Sequence, residues 1–190
     1  MPVFAIIRST AMDFCSRRSP VLSRNGMVAC SQPLASEIGL RFLQCGANAV
    51  EAAVAMGAAM TVLEPCGTGL GGDCFLLYFN PKTRSVEGLN GSGKSPADMT
   101  LAGFAKATHG SDDATPSRHA MTVTVPGAAA AWTDAVSRWG SGALSLSALL
   151  APAIKLAKEG FPVAPVTAHT WASDVPALRA AAAVVRTISK

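Results

Sequence analysis

The first apolar pattern along the chain has the spacing of one face of a helix. Leu34, Ile38 and Phe42 recur every four residues, as they do on the buried side of an amphipathic α-helix. Ser31 is in position to cap the start of this helix, and Gly46 is in position to end it. The pattern predicts an amphipathic helix between them.

The second pattern is apolar on every side. Asn48 and Glu51 form an approximate capping box, with Asn in place of the usual Ser or Thr, and a run of Ala, Val, Met and Gly follows as far as Leu63. A helix without a polar face has to be buried. Its small side chains let other backbones approach closely, which favours a helix packed on a sheet in a layered fold.

A β-hairpin is predicted after a glycine-rich loop. Residues 74–79 (CFLLYF) are aromatic and aliphatic, as is typical of a strand, and residues 85–89 follow as the returning strand. Between them, Pro81 occupies the second position of the turn, where its fixed φ is favourable.

The remainder of the chain alternates between helical patterns and irregular segments. Helices are predicted over 97–107, from about 127 to 139, over 147–159 with a kink at Pro152, and over 177–188, with a loop over 109–119 and a strand over 121–125. This order of elements predicts a mixed α/β chain of the layered α+β kind. There is no internal repeat.

The composition indicates that much of the surface contacts other protein. The chain is 49% hydrophobic and 15% charged, whereas an average soluble domain is about 25% charged. Either an obligate oligomer or a part of a larger fold fits this balance, and we favour the part of a larger fold.

Charge and apolar runs exclude several classes of function. The net charge is +4, without the clustered basic and aromatic residues of a nucleic-acid surface. The longest apolar run, 49–63, is shorter than the roughly 20 residues that cross a bilayer.

No secretory signal is present, so a cytoplasmic location is expected. Residues 1–11 are interpreted as an extension or a targeting remnant, because Met12 can itself start translation.

The five cysteines do not indicate a metal site or a nucleophile. Their number is odd and no CxxC pair occurs, so they are predicted to be reduced and mostly buried. The three histidines lie far from them in sequence. No metal and no cofactor are expected.

Gly67, Gly69 and Gly72 match the dinucleotide-binding pattern G-x-G-x-x-G. That pattern needs a strand before it and a helix after it, because the pyrophosphate lies at the N-terminus of the helix. Here a predicted helix comes first and a predicted strand follows. We therefore interpret the glycines as a tight passage that lets the strand begin close beside the helix.

Several blocks between Arg24 and Trp171 carry a family resemblance. They are 25–29 (NGMVA), 33–35 (PLA), 46–55 (GANAVEAAVA), 64–65 (EP), 69–73 (GLGGD), 125–127 (VPG), 150–154 (LAPAI) and 160–163 (GFPV). In content and order these blocks resemble the gamma-glutamyltransferase family. Residues 1–24 are then an N-terminal extension, and 25–190 are part of the large-subunit domain.

The resemblance implies an N-terminal-nucleophile hydrolase fold of the αββα type, incomplete in this chain. Such a protein is made as a precursor that cuts itself into a large and a small subunit. The new N-terminal Thr attacks a γ-glutamyl amide, its α-amine acts as the base, and the acyl group passes to water or an amine. In the family this Thr lies downstream of the matched region.

No catalytic residue is therefore expected within this chain. Thr167 and Thr170 lie in a stretch that resembles a large-subunit helix, and neither is assigned as nucleophile. The expected partners are a small γ-glutamyl or related amide substrate and the missing C-terminal part with the small subunit. The isolated chain is expected to be inactive.

One substrate contact of the family falls in this chain, and it differs here. Typical members carry an Arg after the second hairpin strand to bind the α-carboxylate of the substrate. The aligned residues 90–96 read NGSGKSP, with Ser92 at the Arg position. A hydroxyl does not replace a bidentate guanidinium, but Lys94 can supply a point charge. The alternative interpretation is a glycine-rich turn with a solvated lysine.

The sequence thus favours a hydrolase or transferase of γ-glutamyl or similar amides. Two alternatives remain open at this stage. The chain can be a noncatalytic truncated remnant or paralogue, or it can belong to an acylase of other amides.

Overall fold

The computed structural model describes residues 19–107 and 120–188. Within them the chain forms six α-helices, one hairpin and a short 3₁₀ turn. In chain order these are α1 Pro33–Gln44, α2 Ala49–Leu63, β1 Cys74–Asn80, β2 Ser85–Gly91, α3 Leu101–Ala107, the 3₁₀ turn Ala120–Thr122, α4 Ala128–Trp139, α5 Leu146–Glu159 and α6 Pro165–Ile188. The mixed helix and strand content agrees with the predicted α+β class. The loop predicted over 109–119, the first eleven residues and Cys15 lie outside the described residues.

Helix α2 is the centre of the core, as its pattern predicts. Most of its residues are buried, and the smallest of them, Ala55 and Ala59, are almost completely inaccessible. Helices α1, α4 and α5 all pack against it. One face of the two-stranded hairpin also packs on the core that α2 centres, and the hairpin contacts α4.

The start of α2 carries the predicted capping box together with a longer-range contact. The Asn48 side chain accepts a hydrogen bond from the backbone N–H of Glu51 at 3.0 Å, and Glu51 Oε2 accepts from the backbone N–H of Asn48 at 2.9 Å. Glu51 is fully buried, and its Oε1 accepts from the N–H and the hydroxyl of Ser141 at 3.0 and 2.8 Å. One buried carboxylate therefore joins the start of α2 to the segment that follows α4.

The predicted cap at the start of α1 is wrong. The residue before the helix is Gln32, whose side chain makes no capping hydrogen bond. The hydroxyl of Ser31 donates instead to the carboxylate of Glu64 at the end of α2. The hydroxyl donates to this charged carboxylate because hydrogen bonds to ionised groups are the stronger ones.

The hairpin forms in the predicted place, with Cys74 opposite Gly91 and Asn80 opposite Ser85. One face of it packs on the core through Leu76, Tyr78 and Leu89. The other face carries large apolar side chains in solvent, among them Phe75, Leu77, Phe79 and Val86. Among the described residues, no other strand pairs with either edge of this hairpin.

The strand predicted over 121–125 is also wrong. The 3₁₀ turn occupies its first half, and residues 123–127 are irregular. One backbone hydrogen bond, from Val125 N–H to the carbonyl of Lys94 at 3.0 Å, joins this segment to the chain after β2. A single bond does not make a ladder, so the β propensity of the segment has no partner strand to act through.

The helical predictions differ from the structure mainly in length. Helix α3 begins four residues later than predicted, and α6 covers the predicted 177–188 but begins already at Pro165. Helix α5 begins after the cap Ser145, continues through Pro152 and ends at Gly160, whose φ is +81°. Within the described ranges, no helix is both long and apolar enough to cross a membrane.

The prediction of mostly buried cysteines fails in the described residues. Cys30, Cys45 and Cys66 are exposed, and only Cys74 is partly covered. Each exposed cysteine lies outside a helix or strand: Cys30 before α1, Cys45 at its end and Cys66 in the turn after α2. These positions keep the three thiols outside the core.

Three glycines bring two backbone segments into direct contact. A Cβ added to Gly127 would lie 2.1 Å from the carbonyl oxygen of Gly91, and one added to Gly93 would lie 2.2 Å from the carbonyl oxygen of Val125. A Cβ on Gly91 would lie 2.5 Å from the Cβ of Ala131 in α4. We call Gly91, Gly93 and Gly127 the glycine junction. It sets the end of β2 directly against the start of α4.

Glu51 is expected to be essential for stability. Glu51→Ala removes a fully buried carboxylate that accepts from the N–H groups of Asn48 and Ser141, and a lost hydrogen bond to a charged group costs about 1.5–3 kcal/mol. We expect the free energy of unfolding of the full-length protein to fall by about 3 kcal/mol, measured by urea unfolding. Glu37→Ala is the control, since it removes only an exposed pair with Arg41, worth about 0.5 kcal/mol. Equal losses in both variants would contradict the role of Glu51.

The glycine junction makes a second prediction. Gly127→Ala has no room for its methyl group and should lower the free energy of unfolding by about 1–3 kcal/mol, as overpacking does. Gly71→Ala is the matched control, because an added Cβ there meets nothing within 4 Å and Gly71 has no left-handed φ. Thermal melting of the two variants compares them directly. A Gly127→Ala protein as stable as Gly71→Ala would show that the junction is not tightly packed.

Candidate functional site

Ser92 and Lys94 both lie in the turn that leaves β2. The strand ends at Gly91, and the side chains of Ser92 and Lys94 are exposed. The backbone N–H of Ser92 donates to the side-chain oxygen of Asn90 at 2.9 Å, so the chain turns at this point instead of continuing the ladder. This arrangement presents the hydroxyl and the ammonium group two residues apart on one short segment, 92–94, which we call the 92–94 turn.

Two neighbouring segments hold the 92–94 turn. Asp73 Oδ1 accepts a hydrogen bond from the backbone N–H of Gly93 at 2.7 Å. The carbonyl of Gly72 accepts from the N–H groups of Gly127 and Ala128 at 3.1 and 2.9 Å. The end of the glycine-rich loop, the exit of β2 and the start of α4 therefore meet at one place, beside the glycine junction.

The sequence interpretation missed Asp73. It gave weight to Gly67, Gly69 and Gly72 as a close passage, and this reading is wrong. An added Cβ on Gly69 meets nothing within 4 Å, those on Gly67 and Gly72 meet atoms only at ordinary contact distance, and none of the three has a left-handed φ. The order of helix, loop and strand is confirmed, so the context of a dinucleotide fingerprint is missing. The available signal for Asp73 was a carboxylate directly between the glycines and a strand.

The charge of Lys94 is available to an incoming group. Within the part of the chain that the structure describes, the ammonium of Lys94 makes no ion pair. Its backbone carbonyl is engaged by Val125, which fixes the main chain and leaves the side chain in solvent. A lysine and a hydroxyl on one turn can bind a carboxylate by a point charge and a hydrogen bond, with less geometric selectivity than a guanidinium.

Glu87 connects the hairpin to the end of α4. Its two carboxylate oxygens accept hydrogen bonds from Asn80 Nδ2 at 2.8 Å and from Trp139 Nε1 at 2.7 Å. These bonds, first that of Asn80 and then that of Trp139, lower the pKa of Glu87 below its usual range. The ring of Trp139 also packs on Tyr78 with ring centroids 5.6 Å apart. Glu87 is therefore occupied in holding the hairpin on α4.

The described residues do not offer a nucleophile with a base beside it. Thr170 donates its hydroxyl to the carbonyl of Val166 at 3.1 Å within α6, and Thr167 lies on the same helix. As internal residues, neither has a free α-amine to act as its base. Burial raises the pKa of the Cys74 thiol, which keeps it in its unreactive protonated form.

A metal site is also missing from the described ranges. In them, no group of three or more His, Cys, Asp or Glu side chains is placed to hold an ion.

Comparison with known proteins places the chain in a family. The family model of gamma-glutamyltranspeptidase matches residues 35–189. The chain is 36% identical to the glutathione hydrolase proenzyme of Bacillus subtilis over 173 residues, which cover 89% of this chain and 29% of that protein. The blocks that carried the resemblance lie within or beside the matched range.

Solved structures agree with this match. The fold is similar to that of cephalosporin acylase from Bacillus halodurans, with a TM-score of 0.76 and 40% identity over 93% of this chain and 32% of that chain. It is similar to the gamma-glutamyltranspeptidase of Helicobacter pylori, with a TM-score of 0.74 and 29% identity over 82% of this chain and 44% of that chain. The chain spans less than a third of the Bacillus subtilis relative. It belongs to the gamma-glutamyltranspeptidase family.

Proposed function

We propose that this chain is the N-terminal part of a self-processing enzyme that hydrolyses or transfers γ-glutamyl or related amides. The nucleophile in this proposal is an N-terminal Thr outside the chain, whose hydroxyl attacks the amide carbonyl and whose α-amine is the base. The observation that carries the proposal is the family match over residues 35–189, with a relative named as a proenzyme. The absence of a nucleophile and base pair in the described residues fits it.

The exposed outer face of the hairpin supports the proposal that another part of the protein packs on it. Phe75 and Leu77 are 68% and 83% exposed on a surface that would be buried in a complete layered fold. Neither edge of the hairpin pairs with another strand in the part of the chain that the structure describes, and unpaired strand edges tend to pair with other chains. In the proposal, the remainder of the enzyme pairs with these edges and covers this face with the second sheet of an αββα fold.

The substrate contacts in the proposal are Ser92 and Lys94. Lys94 attracts the carboxylate of the acyl group, and the Ser92 hydroxyl donates a hydrogen bond to it. The exposed position of both side chains and the unpaired charge of Lys94 support these roles. A single ammonium discriminates less than an Arg, because it does not match both carboxylate oxygens at once.

A second candidate function is the hydrolysis of acyl amides without an α-amino group. Two observations favour it: the 40% identity to a cephalosporin acylase, and Ser92 at the position that is Arg in typical transpeptidases. Three matched anilides separate the candidates. The γ-glutamyl anilide has the α-amine and the carboxylate, the glutaryl anilide has only the carboxylate, and the 4-aminobutyryl anilide has only the amine.

The proposed location of the nucleophile gives a prediction about the isolated chain. Residues 1–190 expressed alone should release no chromogenic anilide from any of the three substrates, whereas the full-length protein should cleave at least the γ-glutamyl or the glutaryl one. Turnover by the isolated chain above a heat-treated sample would place the nucleophile within it. A full-length protein that cleaves neither substrate would favour the noncatalytic paralogue.

Ser92 gives the second prediction. Ser92→Arg in the full-length protein should improve kcat/KM for the γ-glutamyl and glutaryl anilides by about ten- to hundredfold, the equivalent of about 1.5–3 kcal/mol for a hydrogen bond to a charged group. The kcat/KM for the 4-aminobutyryl anilide should not improve, since this substrate has no carboxylate to pair with the guanidinium.

Ser95→Arg is the matched control for the Ser92 variant. It adds the same side chain to the same exposed segment, three residues further on. If both variants change all three substrates alike, the effect is general electrostatic attraction and Ser92 does not contact the acyl group.

A further inference from the structure

Asp73 lies where the hairpin ladder stops. Cys74, the first residue of β1, forms the last pair of the ladder with Gly91 of β2. A continued ladder would place Asp73 opposite Ser92. Instead the chain turns, and the side chain of Asp73 reaches one residue further to accept from the N–H of Gly93 at 2.7 Å. A side-chain carboxylate thus accepts from a backbone N–H just beyond the end of the ladder.

This hydrogen bond fixes the middle of the 92–94 turn. Gly93 is flanked on its other side by Thr124 and Val125, so tightly that an added Cβ would be 2.3 Å from the Thr124 hydroxyl and 2.2 Å from the Val125 carbonyl. Packing against Thr124 and Val125 holds one side of the turn, and the Asp73 carboxylate holds the other side. Hydrogen bonds to an ionised acceptor are about twice as strong as neutral ones, so the carboxylate is a strong anchor for a short exposed turn.

We propose that Asp73 is a positioning residue for the acyl substrate: by holding Gly93 N–H, it presents the Ser92 hydroxyl and the Lys94 ammonium together. This inference rests on the proposed function, in which that turn contacts the substrate. Asp73 is itself exposed and belongs to no buried cluster. Its replacement therefore loosens the turn without removing a part of the core.

The test compares Asp73→Ala with Asp73→Asn in the full-length protein. Asn keeps the side-chain oxygen that accepts from Gly93 and loses the charge, whereas Ala loses both. Asp98→Ala is the matched control, since Asp98 is an exposed carboxylate a few residues beyond the turn. Two measurements are made on each protein: steady-state kinetics with the γ-glutamyl and glutaryl anilides, and hydrogen–deuterium exchange of the peptide that contains Gly93.

Asp73→Ala should raise KM about tenfold, the weakening expected for a lost charge-assisted hydrogen bond. Its kcat should change by less than about threefold, because a turn that only recognises the acyl group contributes uniform binding. The Gly93 peptide should exchange faster in the same variant. Asp73→Asn should be intermediate in both measurements, because it keeps an acceptor for the Gly93 N–H and loses the charge, and Asp98→Ala should behave as the wild type.

Three results would overturn the inference: unchanged exchange at Gly93 in Asp73→Ala, an unchanged KM in a variant whose exchange has risen, or Asp73→Asn as impaired as Asp73→Ala. The last result would mean that charge alone matters. Failure of the proposed function looks different, because the wild type would then cleave neither anilide. In that case the exchange measurement still decides whether Asp73 holds the turn, and its role toward an amide substrate falls with the proposed function.

Discussion

The small side chains of α2 are the constraint on which the remaining packing depends. Because Ala55, Ala58 and Ala59 occupy so little space, α1, α4 and α5 can all contact the same helix. The buried carboxylate of Glu51 then joins the end of α4 to the start of α2, since it accepts both donors of Ser141 just after α4. A larger or unpaired residue at these positions would move α4, and with it everything that α4 supports.

Helix α4 connects this core to the candidate site. Its start meets the glycine junction and the carbonyl of Gly72, and its end donates through Trp139 to Glu87 in the hairpin. The hairpin is held on α4 at both ends, so the turn after β2 has a defined place although its side chains are in solvent. In the proposed function, recognition by the exposed residues Ser92 and Lys94 therefore depends on a chain of contacts that begins in the core.

The sequence predicted best what local interactions determine. The capping box of Asn48 and Glu51, the hairpin and the main helices follow from residues a few positions apart, and all are confirmed. Two predictions that failed concern distant partners: Ser31 bonds to a carboxylate 33 residues away, and 121–125 has no strand beside it among the described residues. Ser92 and Lys94 were proposed through the family resemblance, while Asp73 was missed because its partner lies 20 residues further on.

In the proposed function, this part of the chain recognises an acyl amide while the nucleophile lies elsewhere in the protein. Covalent labelling tests it most directly: the full-length protein is treated with a diazoketone that carries a glutamate-like acyl group, and the modified residue is located by peptide mass spectrometry. We expect one label, on a Thr that is the N-terminal residue of a second chain, and none on residues 19–190. A label on Thr167, Thr170 or a cysteine of this chain would contradict it.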